Sequence, residues 1–325
     1  MNLKELLNIK SKTKYIMFGG KGGLGKTTFS AACGYYLAKK GYKVLVFSVD
    51  PQASLSDIFK KNIFGKGATE IMPNLFAQEI DADERIKQYQ KEIKQKILDR
   101  YGLEKVPEEV ETYIKAASAE PAMEESAIFD AVVDIVFKGD YDYYIYDLVP
   151  LGHALYYLSM TSIYDEWINK ITDLRTEMHK YDAVVAKMRN EKSSEEDEIL
   201  NELLDIKKRI NLSSSIFTDK EKTGFFFVLT PEEMTIFDTI KAKELFSKFG
   251  VPISGYVVNR VIPSEFLTQN IPDYLRNRII SQQEPLNKIR TVFCDQIMGF
   301  VPEFEQDITG LDMIEKVAQK MFGDF

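Results

Sequence analysis

The chain is poor in the residues that build thiol and soft-metal sites. Its 325 residues include two cysteines and two histidines. Cys33 and Cys294 lie far apart, so there is no C-x-x-C pair. That excludes thiolate clusters for zinc or other soft metals, and both cysteines are expected to be small buried hydrophobes. No apolar run reaches the roughly 18–20 residues needed to cross a bilayer. The opening stretch MNLKELLNIKSKTK lacks the apolar core of a signal peptide. A soluble, cytoplasmic protein is expected. Positive charge is also in deficit, with 42 Lys and Arg against 50 Asp and Glu, for a net charge of −8. Nucleic acids and acidic lipids are bound through clustered basic residues, so neither is expected as a general partner. A hydrophobic content of 45% is ordinary for a globular protein.

What the chain does have is GGKGGLGKTT, Gly19 to Thr28. It fits G-x-x-x-x-G-K-S/T, with Gly20, Gly25, Lys26 and Thr27 at the fixed positions. Glycines, here also Gly22 and Gly23, take positive φ without a side-chain clash. The curled N–H groups then line a concave site for anions. Lys26 adds a mobile positive charge for β- and γ-phosphates, Thr27 a hydroxyl for Mg²⁺, and Thr28 a contact to the α-phosphate. Lys14 to Phe18 reads as a strand entering the loop. Gly25 to Lys40 reads as a helix leaving it, with an apolar face at Phe29, Ala32, Cys33, Tyr36 and Leu37. Phosphate at that helix N-terminus would also feel its dipole.

Further β-rich runs are Val44–Val49, Leu75–Ile80, Tyr143–Tyr146, Phe225–Leu229, Ile253–Val258 and Ile297–Val301. Continuous apolar runs alternating with helices predict an α/β fold, a doubly wound and mainly parallel sheet covered on both faces. Ligands in such sheets bind at the carboxyl ends of the strands. Asp50, Asp81, Asp147, Thr230 and Asn259 follow those ends. A carboxylate ending a hydrophobic strand, as Asp147 does, is the Walker B arrangement that holds Mg²⁺ directly or through water. Gly152, just beyond it, offers an N–H to the γ-phosphate. Thr230 to Glu233 predicts a helix start, with Thr230 as N-cap, Pro231 at the first position and Glu233 completing a capping box. Ser193 with Glu196 predicts another cap.

Two regions are too long and too helical for simple crossovers, residues 83–137 and 160–219. They predict one helical subdomain inserted into a single P-loop domain spanning residues 1–325. In the second region Met160, Ile163, Tyr164, Trp167, Ile168, Ile171, Leu174 and Met178 recur at helical spacing. After a polar break, Ile199, Leu200, Leu203, Leu204 and Ile210 repeat the pattern. These stripes serve either core packing or a groove for a hydrophobic client, and the spacing alone does not choose.

Lys21, a second lysine inside the glycine loop, narrows the class. K-G-G-x-G-K-T-T resembles the deviant Walker A motif of dimeric ATPases, namely the arsenite-pump ATPase, the tail-anchored-protein targeting ATPase and the ParA/MinD partitioning proteins. The segment Ser48 to Asp57 is similar to switch I of the arsenite-pump and tail-anchored-targeting branch. Tyr141-Asp142 followed by Asp147 to His153 is similar to its switch II. Glu79-Ile80-Asp81, Pro121 to Glu125, Thr230 to Glu233, Val257 to Arg260 and Val301 to Glu303 also resemble the family. The resemblance thus covers nearly the whole chain.

It implies an ATP- and Mg²⁺-dependent homodimer in which Lys21 reaches the partner copy's nucleotide. Asp50 would orient the attacking water, and Thr27 and Asp147 would hold Mg²⁺. Asn259 would read the adenine, with Pro302 packed near it. The implied client is the hydrophobic transmembrane segment of another protein, delivered to a membrane receptor. The departures also matter. Gln52-Ala53 replaces Ala-His and is closer to the ParA/MinD branch, a positioning ATPase being the alternative. Leu148 and Leu151 replace two switch II threonines. The zinc-binding and arsenite-binding cysteines are absent, so no zinc is expected, and thiolate-mediated activation as the ATPase subunit of a metalloid pump has no chemical basis. His153 reads as a structural or switch residue rather than a metal ligand.

Overall fold

A computed structural model of the chain describes residues 14–50, 52–118, 121–148 and 218–323, with shorter stretches between 166 and 216. Gly152, Leu151, His153 and the Ser193–Glu196 cap lie outside the described residues. The strands are β1 (Tyr15–Gly19), β2 (Val44–Ser48), β3 (Thr69–Met72), β4 (Leu75–Glu79), β5 (Tyr143–Asp147), β6 (Thr223–Leu229), β7 (Gly255–Val261) and β8 (Ile297–Pro302). They form one sheet in the order β3-β4-β2-β5-β1-β6-β7-β8. Every pairing is parallel except β3 with β4. The helices are α1 (Lys26–Lys39), α2 (Ser54–Phe59), α3 (Ala82–Tyr101), α4 (Glu108–Ser118), α5 (Pro121–Lys138), α6 (Glu233–Lys248), α7 (Asp273–Ser281), α8 (Gln283–Phe293) and α9 (Leu311–Phe322). Helices α3, α4 and α5 all fall between β4 and β5. Residues 169–178, between β5 and β6, are helical too.

Strands β2, β5 and β6 are buried at every position, as expected when both faces of a parallel sheet are covered. Side chains alternate between two apolar layers. Ile16, Phe18, Val46, Ile145 and Phe226 pack with α1, α2 and α9. Met17, Phe47, Tyr146, Phe225 and Phe227 pack with α5, α6 and α8. In the first layer Tyr36 of α1 stacks on Phe322 of α9, with ring centroids 4.2 Å apart. Gly34 brings α1 close to the sheet, where an added Cβ would lie 2.5 Å from a Val46 methyl.

Three local expectations are corrected. Helix α6 begins at Glu233, with Glu232 as an extended N-cap residue and no side-chain cap. The Thr230 capping box does not form. Thr235 Oγ1 instead donates to the Thr230 carbonyl at 2.7 Å, and the same carbonyl accepts the Glu232 N–H at 2.8 Å. Cys33 is buried, but Cys294 is exposed and sits at a positive φ of 37° where α8 ends. Strand β3 was not expected. It is a four-residue edge strand joined to β4 through Pro73-Asn74, with Asn74 at φ 68° closing the turn.

Candidate functional site

The glycine loop joins β1 to α1 at the point where the strand order turns, with β5 on one side of β1 and β6 on the other. That is where doubly wound sheets bind ligands. Gly20, Gly23 and Gly25 sit at φ of 147°, 75° and 98°, a region that other residues avoid. Neighbours close two of these positions further. A Cβ on Gly20 would stand 2.6 Å from the Val228 carbonyl oxygen, and one on Gly25 would stand 2.6 Å from Asn259 Nδ2. Gly22 and Gly23 would meet nothing within 4 Å. The inner half of the loop is therefore wedged against β6 and β7, while its outer half is open.

Lys26 starts α1 and is buried. Its Nζ donates to the Lys21 carbonyl oxygen at 3.1 Å, folding the side chain back over the loop. Burial pushes its pKa down, and the carboxylates of Asp147 and Asp50 oppose the shift. Asp147 ends β5 and is buried. Its Oδ2 accepts from Thr27 Oγ1 at 2.6 Å and its Oδ1 from Ser30 Oγ at 3.3 Å. With its proton directed at Asp147, Thr27 keeps its hydroxyl lone pairs for a cation. A hydroxyl and a carboxylate so close are hard oxygen donors suited to Mg²⁺.

Burial pushes the Asp147 carboxyl up to about 6, against the pull of Thr27, Lys26 and Ser30. Raised above its ordinary 3.8, the ionised carboxylate costs the folded state stability above that value. The cost fades as pH falls from about 6 to 3.8, and below that both states hold the proton. Asp147→Asn is neutral throughout. Without nucleotide it is expected to melt above the parent at about pH 8, and the gain should shrink towards about pH 4 in thermal melts followed by circular dichroism. A variant melting below the parent at pH 8 would contradict this account of the site.

Asp50 follows β2, and the register of β2 on β5 puts Ser48 beside Asp147. The Asp50 N–H donates to Ser48 Oγ at 3.1 Å, and Ser48 Oγ donates to the Asp147 carbonyl oxygen at 3.5 Å. One hydroxyl thus ties the two acidic strand ends together. Asp50 Oδ1 accepts the Gln52 N–H at 3.0 Å, forming a local turn. The next helix, α2, is anchored by the buried Glu79 of β4. That carboxylate accepts the Leu55 N–H at 2.6 Å and the Ser56 hydroxyl. Leu148 is buried, and its N–H donates to the Phe18 carbonyl oxygen at 3.2 Å.

On the other side, Asn259 Nδ2 donates to the Leu24 carbonyl oxygen at 2.8 Å and Arg260 Nη2 to that of Gly23 at 3.0 Å. Arg260 takes a φ of 57° to do so. Pro302 at the end of β8 pairs with Val261, just past Asn259 in β7. Lys21 leaves the loop altogether. Its Nζ pairs with Asp238 Oδ2 of α6 at 3.1 Å and approaches Met234 Sδ at 3.3 Å.

Gly20, Gly22, Gly23, Gly25, Lys26, Thr27, Thr28, Asp50, Asp147 and Asn259 thus gather at one end of the sheet, with Pro302 on its flank. Sequence reasoning gave no role to Ser30, Ser48, Arg260 or Asp238, although Ser48 and Arg260 lie in segments that resemble the family. Ser30 was recoverable, since it lies three residues after Thr27 on the same helix face. Among the described residues no group of three His, Cys, Asp or Glu side chains is placed to hold a metal, and no helix is long and apolar enough to cross a membrane.

The sequence that folds into this site also matches a known protein family. The profile of anion-transporting ATPases aligns with residues 13–323. The chain belongs to the anion-transporting ATPase family. Putative arsenical pump-driving ATPase 1 of Aquifex aeolicus is 30% identical over 319 residues, covering 96% of this chain and 79% of the relative. Putative arsenical pump-driving ATPase 2 of the same organism is 29% identical, with 94% and 98% covered. ATPase GET3C of Arabidopsis thaliana is 28% identical, with 81% and 70% covered. As a member of this family the chain is an ATPase that binds nucleotide.

Proposed function

We propose that this ATPase works as a homodimer whose closure on Mg²⁺-bound ATP controls a surface for a hydrophobic client, the membrane anchor of a tail-anchored protein. One observation carries the reading. Lys26 already serves the loop from within, while Lys21 extends outward, its side chain 48% exposed. A second lysine aimed away from its own loop is suited to the nucleotide of a facing copy. The loop amides of Gly20, Gly22, Gly23 and Gly25, with Lys26 and Thr28, cradle the phosphates, and Gly152 adds an N–H. Thr27 and Asp147 hold Mg²⁺, which when bound neutralises charge on the transferring phosphoryl group. Asp50 orients the attacking water, and Asn259 with Pro302 holds the adenine. Ser48 and Glu79 fix the segment that carries Asp50, so catalysis here is positioning by a rigid frame.

The helical insertions supply the client surface in this reading. Leu174, Met178 and Tyr181 recur at helical spacing and are 62%, 54% and 72% exposed. Large apolar side chains in that pattern suit a partner of varied hydrophobic sequence. The chain then acts in the cytoplasm and meets a membrane receptor only at delivery. Co-expression with a tail-anchored membrane protein tests this directly. A soluble complex that is lost when the client's apolar segment is shortened supports it. Recovery of bare ATPase alone, under nucleotide conditions that close the dimer, rejects it.

The names of the Aquifex relatives favour a second reading, the driving subunit of an arsenical pump. The thiols argue otherwise. Cys33 is fully buried, which pushes its thiol above the usual range, while Cys294 is exposed on a different element. Added arsenite should raise the ATPase rate on the second reading and leave it unchanged on the first.

A further inference from the structure

The contact that Lys21 makes on its own chain has a consequence for assembly. Met234 and Asp238 stand four residues apart on α6 and so share a face. Buried Ile236 and Thr239 root the helix on its opposite side. Phe237 on the same outward face is 56% exposed and carries Lys241 Nζ 4.2 Å above its ring. Lys241 is thus seated on Phe237, and Asp238 receives Lys21. Nothing would crowd a Cβ on Gly22 or Gly23 next to Lys21, so the space beside this outer half of the loop is open.

We propose that Asp238 is a positioning residue that holds Lys21 against its own chain in the unassembled protein, and that nucleotide-driven pairing of two copies exchanges this carboxylate for phosphate. The proposal rests on the reading that Lys21 serves the facing copy. The bond is built to be given up. Both partners are partly exposed, Lys21 at 48% and Asp238 at 35%, and an exposed ion pair changes an equilibrium by a factor of only about 1.4–5. Lysine suits such an exchange, being a compact charge on a flexible stem. A polyanionic triphosphate offers it more charge than one carboxylate, so the tether tunes assembly without blocking it. Met234 adds a polarizable sulfur against which the ammonium rests.

Asp238→Asn keeps the shape of the side chain and removes its charge. Two readouts test the role. In nucleotide-free protein, Lys21 should react about two- to fivefold faster with a limiting amine-reactive ester, read by mass spectrometry of its peptide, and Asp238→Glu should restore the protection. With a non-hydrolysable ATP analogue and Mg²⁺, the dissociation constant of the Asn dimer should fall about 2- to 25-fold, because each copy releases one tether. Unchanged Lys21 labelling, or faster labelling with an unchanged dissociation constant, overturns the proposal while leaving the dimer reading intact. A parent protein that stays monomeric with the analogue overturns the dimer reading itself, and the exchange with it.

Discussion

Lys21→Ala is expected to lower ATP turnover by about 10³-fold or more, with ATP binding by the single chain nearly unchanged. The size follows from cationic groups supplied in trans to phosphoryl transfer, which contribute roughly 10³–10⁵ in rate. The substitution is clean because Lys21 contacts the loop through its backbone. Its carbonyl oxygen accepts from Lys26 Nζ, and alanine retains that carbonyl. The side chain touches Asp238 and Met234 instead, outside the loop. Lys26 therefore stays buried and oriented, and binding that depends on it persists. Steady-state phosphate release with equilibrium dialysis of ATP separates the two effects. A variant turning over at the parent rate would remove the reason for placing Lys21 in a partner's site.

The parts of this architecture that were legible in the sequence share a physical character. Strands β2, β5 and β6 are continuous apolar runs because both sheet faces are covered, so each was visible without reference to its neighbours. β3 was not, because an edge strand of four residues buries too little to leave a pattern. The same division runs through the site. Gly20, Gly25, Lys26, Thr27 and Asp147 are constrained by local backbone geometry and by burial at a strand end, and both leave marks in sequence. Asp238 leaves none. It is one of several acidic residues on an exposed helix face, and its neighbour Met234 lies 213 residues from Lys21. Arg260 is similar, since only the packing of β7 beside the loop turns an ordinary surface arginine into a donor to Gly23. The Thr230 capping box shows the converse error, a valid local signal overruled where the Thr230 carbonyl accepts both the Glu232 N–H and the Thr235 hydroxyl and the helix begins at Glu233.

Asp50→Asn should separate binding from chemistry, keeping ATP affinity at or above the parent value while lowering turnover by about 10²–10⁴-fold. Asparagine preserves the side-chain oxygen that accepts the Gln52 N–H and leaves the backbone bond to Ser48 in place, so the loop should hold its shape. What it loses is the negative charge that would orient and polarise water. Removing a carboxylate near a triphosphate also relieves repulsion, hence the expectation on affinity. Combining this variant with Lys21→Ala gives the sharper result. If each lysine serves the facing copy, a mixed dimer contains one complete site, with Asp50 on one chain and Lys21 supplied by the other. An equal mixture of the two inactive variants should then recover about a quarter of the parent rate, since half of randomly paired dimers are mixed and each has one competent site. If Lys21 acts on its own nucleotide, every site in the mixture lacks one of the two groups and no activity returns. Recovery in the mixture therefore requires both the pairing of chains and the division of labour between Lys21 and Asp50, and its absence with demonstrably mixed dimers would refute that division.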